Sequence, residues 1–153
     1  MPVRFYLQIL CTAAVLVACK ETRVRRTPGD PRLSIEFRSA STEPLPRFTG
    51  PVSDPEGGPL FLGPEVLLAN ADIKDVAVEK RNVGYGVMLY FSPAGASRLS
   101  AFTTSHNGER LAVLIDGKVV IAPVVHGVIR ESAVIEHGFS EAEAQRIARG
   151  LAP

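Results

Sequence analysis

The sequence has almost no excess charge and few cysteines. Its 153 residues include 17 basic and 16 acidic residues, and only two cysteines, Cys11 and Cys19. Without a positive field there is no electrostatic basis for binding nucleic acid, so no nucleic-acid partner is expected. If Cys19 is modified and Cys11 is removed, no thiol is left for a disulfide, and packing alone must hold the fold.

Groupings of residues that carry chemistry are also lacking. The three histidines, His106, His126 and His137, show no helical i, i+4 spacing and no neighbouring cysteines, so no metal site is expected. No Gly-x-Ser-x-Gly elbow occurs, and Ser140 is assigned to a helix cap. Asp116 precedes a glycine, as a tight turn requires, which explains it without a general-base role. We therefore expect no enzymatic activity, no catalytic residue and no cofactor.

One long apolar run lies at the N-terminus, between Phe5 and Ala18. It is shorter than the ~20 residues of a membrane-spanning helix and follows a single arginine, which is typical of a signal peptide. It ends in LVAC at residues 16–19, which is similar to the lipobox of bacterial lipoproteins. We predict a lipoprotein signal peptide over residues 1–18 and lipidation of Cys19. An ordinary secretory signal and a transmembrane anchor are the alternatives.

Residues 19–32 are polar and basic, with five lysines and arginines and the turn cluster PGDP at 28–31. This composition predicts a tether. Its charges either lie on anionic headgroups, at roughly 1 kcal/mol each, or are simply solvated. Lys20 stands where an aspartate retains familiar lipoproteins at the inner membrane. We therefore expect a lipid-anchored protein that faces the periplasm, with the outer membrane favoured.

The folded unit is predicted over residues 33–153. Leu33, Ile35 and Phe37 alternate with polar residues, which predicts a first strand near a sheet edge. Residues 39–59 contain five prolines and three glycines, a composition that predicts a long loop. Residues 75–81 and 85–91 then alternate as two strands.

The C-terminal half predicts two helices and a hairpin. Ser92 is expected to cap a helix that ends at Asn107-Gly108, and Ser140 and Glu143 form a capping box for the last helix. Between them, Asp116-Gly117 predicts a two-residue turn that pairs Ile115 with Lys118 and Val113 with Val120. With a further strand at residues 133–138, the order indicates an α+β fold, a mainly antiparallel sheet with two helices on one face.

Four blocks of the sequence, in order, resemble the head subdomain of the first periplasmic domain of SecD in the SecDF family: LFLGPEVLLANADI, YGVMLYFSPAGASRL, RLAVLIDGKVVIAPVV and GFSEAEAQRIARGL. The resemblance covers roughly residues 33–151 and implies an α+β head in the periplasm. SecD itself continues into transmembrane helices that couple ion flow to export. No apolar segment of that length follows in this sequence, so a translocation motor is not expected.

Two functions follow from these patterns. The first is a binding module that holds unfolded or exported polypeptide by adding a strand to an open edge. The second is a structural partner that docks on one envelope or export complex. The segment after Pro123 is apolar but has no obvious pairing role, and it gives the candidate binding surface Val124, Val125, Val128 and Ile129. Completion of the core by these residues is the alternative.

Overall fold

The computed structural model describes residues 21–153. The predicted signal peptide, residues 1–18, and the predicted lipidation site Cys19 lie outside this range. The strands, in chain order, are β1 Glu21–Val24, β2 Ile35–Ser41, β3 Thr49–Ser53, β4 Pro59–Leu62, β5 Leu68–Ala69, β6 Ile73–Lys80, β7 Tyr85–Phe91, β8 Arg110–Ile115, β9 Lys118–Ile121 and β10 Ser132–Phe139. The helices are α1 Pro93–Ser105 and α2 Glu141–Leu151, with a 3₁₀ turn at Asn70–Asp72.

The strands form two sheets, and every strand pair within them is antiparallel. Sheet A has the order β1-β6-β7-β10, and sheet B has the order β3-β4-β2-β8-β9, with β5 also paired to β2. The predicted α+β class with mainly antiparallel strands and two helices is confirmed. The prediction of one sheet is wrong, because alternation identifies a strand but does not indicate which other strand it pairs with.

The main core lies between the inner faces of the two sheets and the two helices. Phe37 of sheet B meets Phe91 of sheet A edge to face, with ring centroids 5.7 Å apart. Leu99 of α1 and the apolar stripe of α2 join the same cluster. A smaller cluster covers the other face of sheet B, formed by Ala40, Leu60, Leu62, Ala112, Leu114 and Ala122.

β2 lies in the middle of sheet B, between β4 and β8, and not near an edge as predicted. Its polar face suggested a wet edge, but Glu36 and Arg38 are only half-exposed and pair with each other at 2.8 Å. Arg38 also donates to the carbonyl of Gly63 at 3.3 Å. The polar residues therefore satisfy one another, so a central position is tolerated.

The segment 39–59 is more ordered than the predicted loop. β2 continues to Ser41, and β3 pairs with β4 in the register Val52↔Leu60 and Ser53↔Pro59. β3 is the terminal strand of sheet B and contains Pro51. An edge strand tolerates a proline because one side of it needs no ladder donor, so the proline content was a misleading signal here.

The predicted tether is also partly folded, since β1 pairs with β6 from Glu21↔Glu79 to Val24↔Val76. Val24 is buried in the main core. Arg23 lies over the Tyr90 ring, 3.9 Å from its centroid. The prediction of a tether up to residue 32 therefore fails for Glu21–Val24, because a four-residue strand with one apolar side chain has no periodicity to detect.

Both helix caps are confirmed. The Ser92 hydroxyl accepts from the N–H of Gly95 at 3.2 Å, and Pro93 occupies the first helical position. At the start of α2, the Ser140 N–H donates to the Glu143 carboxylate at 2.9 Å, and the Glu143 N–H donates back to the Ser140 hydroxyl at 3.3 Å. The predicted stripe on α2 is buried at Ala144, Ile147, Ala148 and Leu151.

The predicted hairpin is present, with φ angles of 48° at Asp116 and 74° at Gly117, as a type I′ turn requires. Ile115 pairs with Lys118 as expected. The register then shifts, so that Val113 pairs with Ile121 and not with Val120 as predicted. A bulge in β9 is the cause, and turn chemistry at the tip does not predict an irregularity further along the ladder.

Candidate binding surface

The candidate surface is built on the segment that follows β9, which we call the groove segment (residues 123–129). β9 ends at Ile121, before Pro123, as predicted, but pairing resumes beyond it. The Pro123 carbonyl accepts from the Leu111 N–H at 3.0 Å. The Val125 N–H donates to the Glu109 carbonyl at 2.8 Å. A proline lacks only the donor, so its carbonyl still serves the ladder.

These bonds decide which valine points inward. Val125 is only 3% exposed and belongs to the main core, so its predicted place on an accessible surface is wrong. Val124 is 36% exposed and Val128 is 43% exposed, while Ile129 is half-buried against the core. The four predicted residues are therefore divided between a core position, a supporting position and two exposed positions.

The exposed residues line a shallow groove of about 350 Å³, formed by Leu111, Pro123, Val124, Val125, His126, Gly127, Val128 and Ile129. Its walls are almost entirely apolar. Within residues 21–153, the backbone N–H groups of residues 126–128 donate to no backbone carbonyl. The groove therefore combines apolar side chains with free backbone donors, the two features that an extended peptide can use.

Helix α1 fixes the far end of the groove segment. The Ile129 N–H donates to the Thr103 hydroxyl at 3.0 Å, and that hydroxyl donates in turn to the Leu99 carbonyl at 2.8 Å. Thr103 is 1% exposed. This contact was not predicted, because a threonine in a weakly patterned helix gives no sign that it accepts a bond from a distant loop.

A second cavity, of about 550 Å³, lies beside the groove segment and was not predicted. It is lined by Lys74, Tyr90, Phe91, Pro93, Ala96, Ser97, Ser100, Arg130 and Glu131. The Tyr90 hydroxyl donates to the Glu21 carboxylate at 2.6 Å. This bond, helped by burial, raises the pKa of Tyr90 above its ordinary value. The cavity is more polar than the groove, and its members are too far apart in sequence to form a motif.

The side chains considered for catalysis or metal binding lie apart. His106 stacks on Phe102 at 4.0 Å, whereas His126 lines the groove and His137 is exposed on β10. In the part of the chain from Glu21 onward, no three His, Cys, Asp or Glu side chains are grouped as metal ligands. The Asp116 carboxylate accepts from the Ser34 N–H at 2.8 Å, a contact between the β8–β9 turn and the residue that precedes β2.

The fold and groove define a small α+β head module with an apolar recess at one end. Residues 47–152 match the family model described as SecDF, P1 head subdomain. The chain belongs to this family.

Known relatives are components of protein translocases. The chain is 36% identical over 109 residues to the protein translocase subunit SecD of Elusimicrobium minutum. The matched region covers 68% of this chain and 22% of that protein. It is 40% identical over 86 residues to the protein translocase subunit SecDF of Thermus thermophilus, covering 56% of this chain and 12% of the relative. The chain thus spans less than a quarter of either relative.

Solved structures agree with the sequence comparison. One, described as "Structure and function of a membrane component SecDF that enhances protein export", matches 80% of this chain and 63% of its own, with a TM-score of 0.61 and 30% identity. A SecDF structure in the super-membrane-facing form gives a TM-score of 0.61 and 31% identity, over 80% of this chain and 19% of its own. Among residues 21–153, no helix is long and apolar enough to cross a bilayer.

Proposed function

We propose that this protein is a membrane-anchored, non-catalytic module of the periplasm that binds extended segments of unfolded or exported polypeptide. Family membership supports a role near protein export, because the relatives are translocase subunits. The observation that carries the proposal is the groove at residues 123–129. It exposes Val124 and Val128 on a base that is hydrogen-bonded to β8 and α1.

The groove suits a partner recognised by its backbone and its apolar side chains. The unpaired N–H groups of residues 126–128 would donate to carbonyls of an extended segment, while Val124, Val128 and Ile129 would contact alternate side chains. A recess of about 350 Å³ holds only a few side chains, so binding to each client would be weak and tolerant of sequence.

Within residues 21–153, the serine and the aspartate considered for catalysis are both engaged in structural contacts, which supports a non-catalytic role. The Ser140 hydroxyl is engaged in the capping box, and the Asp116 carboxylate is engaged by Ser34. Neither group faces the groove, whose lining includes a single ionisable side chain, His126. A lone histidine without an orienting partner does not make a nucleophilic or acid–base pair.

Anchoring is proposed to occur through acylation of Cys19. The experiment is to replace Cys19 by serine and to follow the protein after carbonate washing of membranes. We expect the variant to appear in the soluble fraction, because the acylation chemistry needs the thiol. A variant that stays in the washed membranes would show that the apolar run at residues 5–18 itself provides the anchor.

The binding role is tested by photo-cross-linking in living cells from a photoreactive residue placed at Val128. Val66, in the β4–β5 connection, is the matched control because it is exposed to the same extent, 43%. We expect Val128 to cross-link to many nascent or unfolded exported proteins and Val66 to few. A single saturable product from Val128 would favour docking on one envelope complex, and equal yields from both positions would contradict the groove as the site.

A further inference from the structure

We infer that one end of sheet A rests on the lipid surface, so that the domain is held directly on the membrane with its groove pointing away. The surface, which we call the membrane-proximal end, is the β6–β7 turn with Lys80 and Val83 and the adjoining end of β10. The inference rests on the proposed membrane anchor, and goes beyond it by assigning an orientation and a lipid-contact surface.

Very little chain separates the anchor from the fold. Only Cys19 and Lys20 separate the apolar run from Glu21, where β1 begins. Two residues span at most about 7 Å even when fully extended. Lipidation of Cys19 places lipid within that distance of Glu21, and retention of the apolar run, which ends at Ala18, places it within about 11 Å.

β1 is attached to sheet A along its whole length. Four consecutive residue pairs join it to β6, Val24 is buried in the main core, and Tyr90 binds Glu21. Arg23 adds an ion pair with Asp75. β1 is therefore part of the folded domain, and Glu21 cannot act as a swivel between the domain and the membrane.

The β6–β7 turn projects beyond the start of β1. Glu21 pairs with Glu79, and the turn residues Asn82 and Val83 follow three and four residues later. A strand rises about 3.3 Å per residue, so the tip projects about 10 Å beyond Glu21 in the direction in which the chain leads back to Cys19. The tip therefore reaches at least the depth of Cys19.

The composition of the tip fits a lipid surface. Val83 is 76% exposed, the highest fraction among the large apolar side chains of residues 21–153 that are exposed. Lys80 beside it is also exposed. An apolar side chain flanked by a lysine suits the boundary between headgroups and acyl chains, where the methyl groups are buried and the ammonium group stays in the headgroup layer.

Three acidic side chains at this end are bound within the domain. Arg81 binds Glu136 and lies 3.2 Å from Glu79. Glu143 accepts from Ser140 in the capping box of α2. The ion pairs of Arg81 offset part of the negative charge that this end would otherwise bring to a membrane surface.

The tip is also held in place by its neighbours. Gly84 has φ +69°, and a Cβ there would lie 2.5 Å from the carbonyl oxygen of Phe139. The turn therefore packs closely against the end of β10. Because the turn is packed against β10, contact of the tip with lipid fixes the orientation of the whole of sheet A.

The orientation has a consequence for the groove. β7 runs from Tyr85 at the membrane-proximal end to Phe91, whose N–H donates to Glu131 just beyond the groove segment. Its six residue steps correspond to about 20 Å. The groove thus opens on the membrane-distal end, where polypeptide in the periplasm can reach it.

The test measures depth at two positions of the full lipidated protein reconstituted into phosphatidylcholine vesicles. Residues 21–153 contain no cysteine, so Val83→Cys and Val128→Cys each supply one thiol for a fluorophore. Vesicles that carry a nitroxide on the headgroup quench nearby fluorophores. We expect several-fold stronger quenching at position 83 than at position 128. A flexible Gly/Ser spacer inserted between Lys20 and Glu21 should abolish this difference while the protein stays on the vesicles.

The outcomes separate the two proposals. Protein that remains with the vesicles but is quenched equally at both positions, or more strongly at 128, overturns the orientation and leaves the anchor intact. Wild-type protein that does not associate with the vesicles overturns the anchor and the orientation with it. A difference that persists unchanged with the spacer would show that the short linkage does not set the orientation.

Discussion

Substitution of Val125 should lower the stability of the fold, whereas substitution of Val128 should weaken binding and leave the stability nearly unchanged. Val125 is 3% exposed and packs in the main core, whereas Val128 is 43% exposed and lines the groove. Val125→Ala removes two methylene equivalents at ~0.8 kcal/mol each. With the cavity term for an interior that relaxes only in part, the total loss is about 2–3 kcal/mol.

For a domain of this size, a loss of that magnitude corresponds to a fall in the thermal midpoint of roughly 6–12 °C. Val128→Ala should change the free energy of unfolding by less than about 0.5 kcal/mol, because the side chain is already largely hydrated. Urea and thermal unfolding of residues 21–153, followed by circular dichroism, measure both variants against the wild type.

For binding to client polypeptide, the exposed residue Val128 is the position that matters. A charge in an apolar contact is costly to desolvate, so Val128→Asp should abolish cross-links to client polypeptide from a photoreactive residue placed at Val124, with little change in the midpoint. Val125→Asp should unfold the domain, since a carboxyl group buried without a partner costs several kcal/mol in addition to the lost apolar contacts. An unchanged midpoint for Val125→Ala would refute the placement of this residue in the core.

Three further predictions concern the rest of the fold. Ile147→Ala on α2 should lower the free energy of unfolding by about 2–4 kcal/mol, and an unaltered urea midpoint would show that the helix is not docked on sheet A. Asp54→Ala should cost about 3 kcal/mol, because it leaves Arg110, which Asp54 binds at 2.6 Å, without its buried partner. A loss equal to that of an exposed carboxylate would contradict this. Hydrogen bonds from the Ser140 N–H and hydroxyl lower the pKa of Glu143 below its ordinary value. The stability that this carboxylate adds is therefore complete above the pKa of an unfolded glutamate. It is lost as the pH falls through the lower pKa of the folded state. The difference in unfolding free energy between wild type and Glu143→Gln should therefore shrink on acidification, and a constant difference would argue against the capping role.

The local chemistry of turns and caps was predictable from the sequence. Asp116-Gly117 gives a type I′ hairpin because few other residue pairs adopt two positive φ angles at low cost. Ser140 and Glu143 define the start of α2 because their side chains satisfy backbone donors that the helix itself leaves free. These features depend on residues only a few positions apart, and the same holds for the stripe on α2.

Features that depend on distant residues were decided by the tertiary structure. The division into two sheets follows from which strands pair, and alternation within one strand does not encode its partner. β1 is a strand because it pairs with β6 and because Tyr90 donates a hydrogen bond to Glu21, although the composition of β1 indicates a tether. The 39–59 segment contains β3 because Pro51 lies on a sheet edge.

The candidate site shows the same division. An apolar run after Pro123 was visible in the sequence. The side on which each valine lies was set by two hydrogen bonds of Val125, to Glu109 and Gly108, and by that of Ile129 to Thr103. These partners are 16 to 26 residues away, and an apolar side chain has the same local pattern whether it closes a core or lines a groove. Burial is a property of what surrounds a residue, so only the packed structure could separate Val125 from Val124 and Val128.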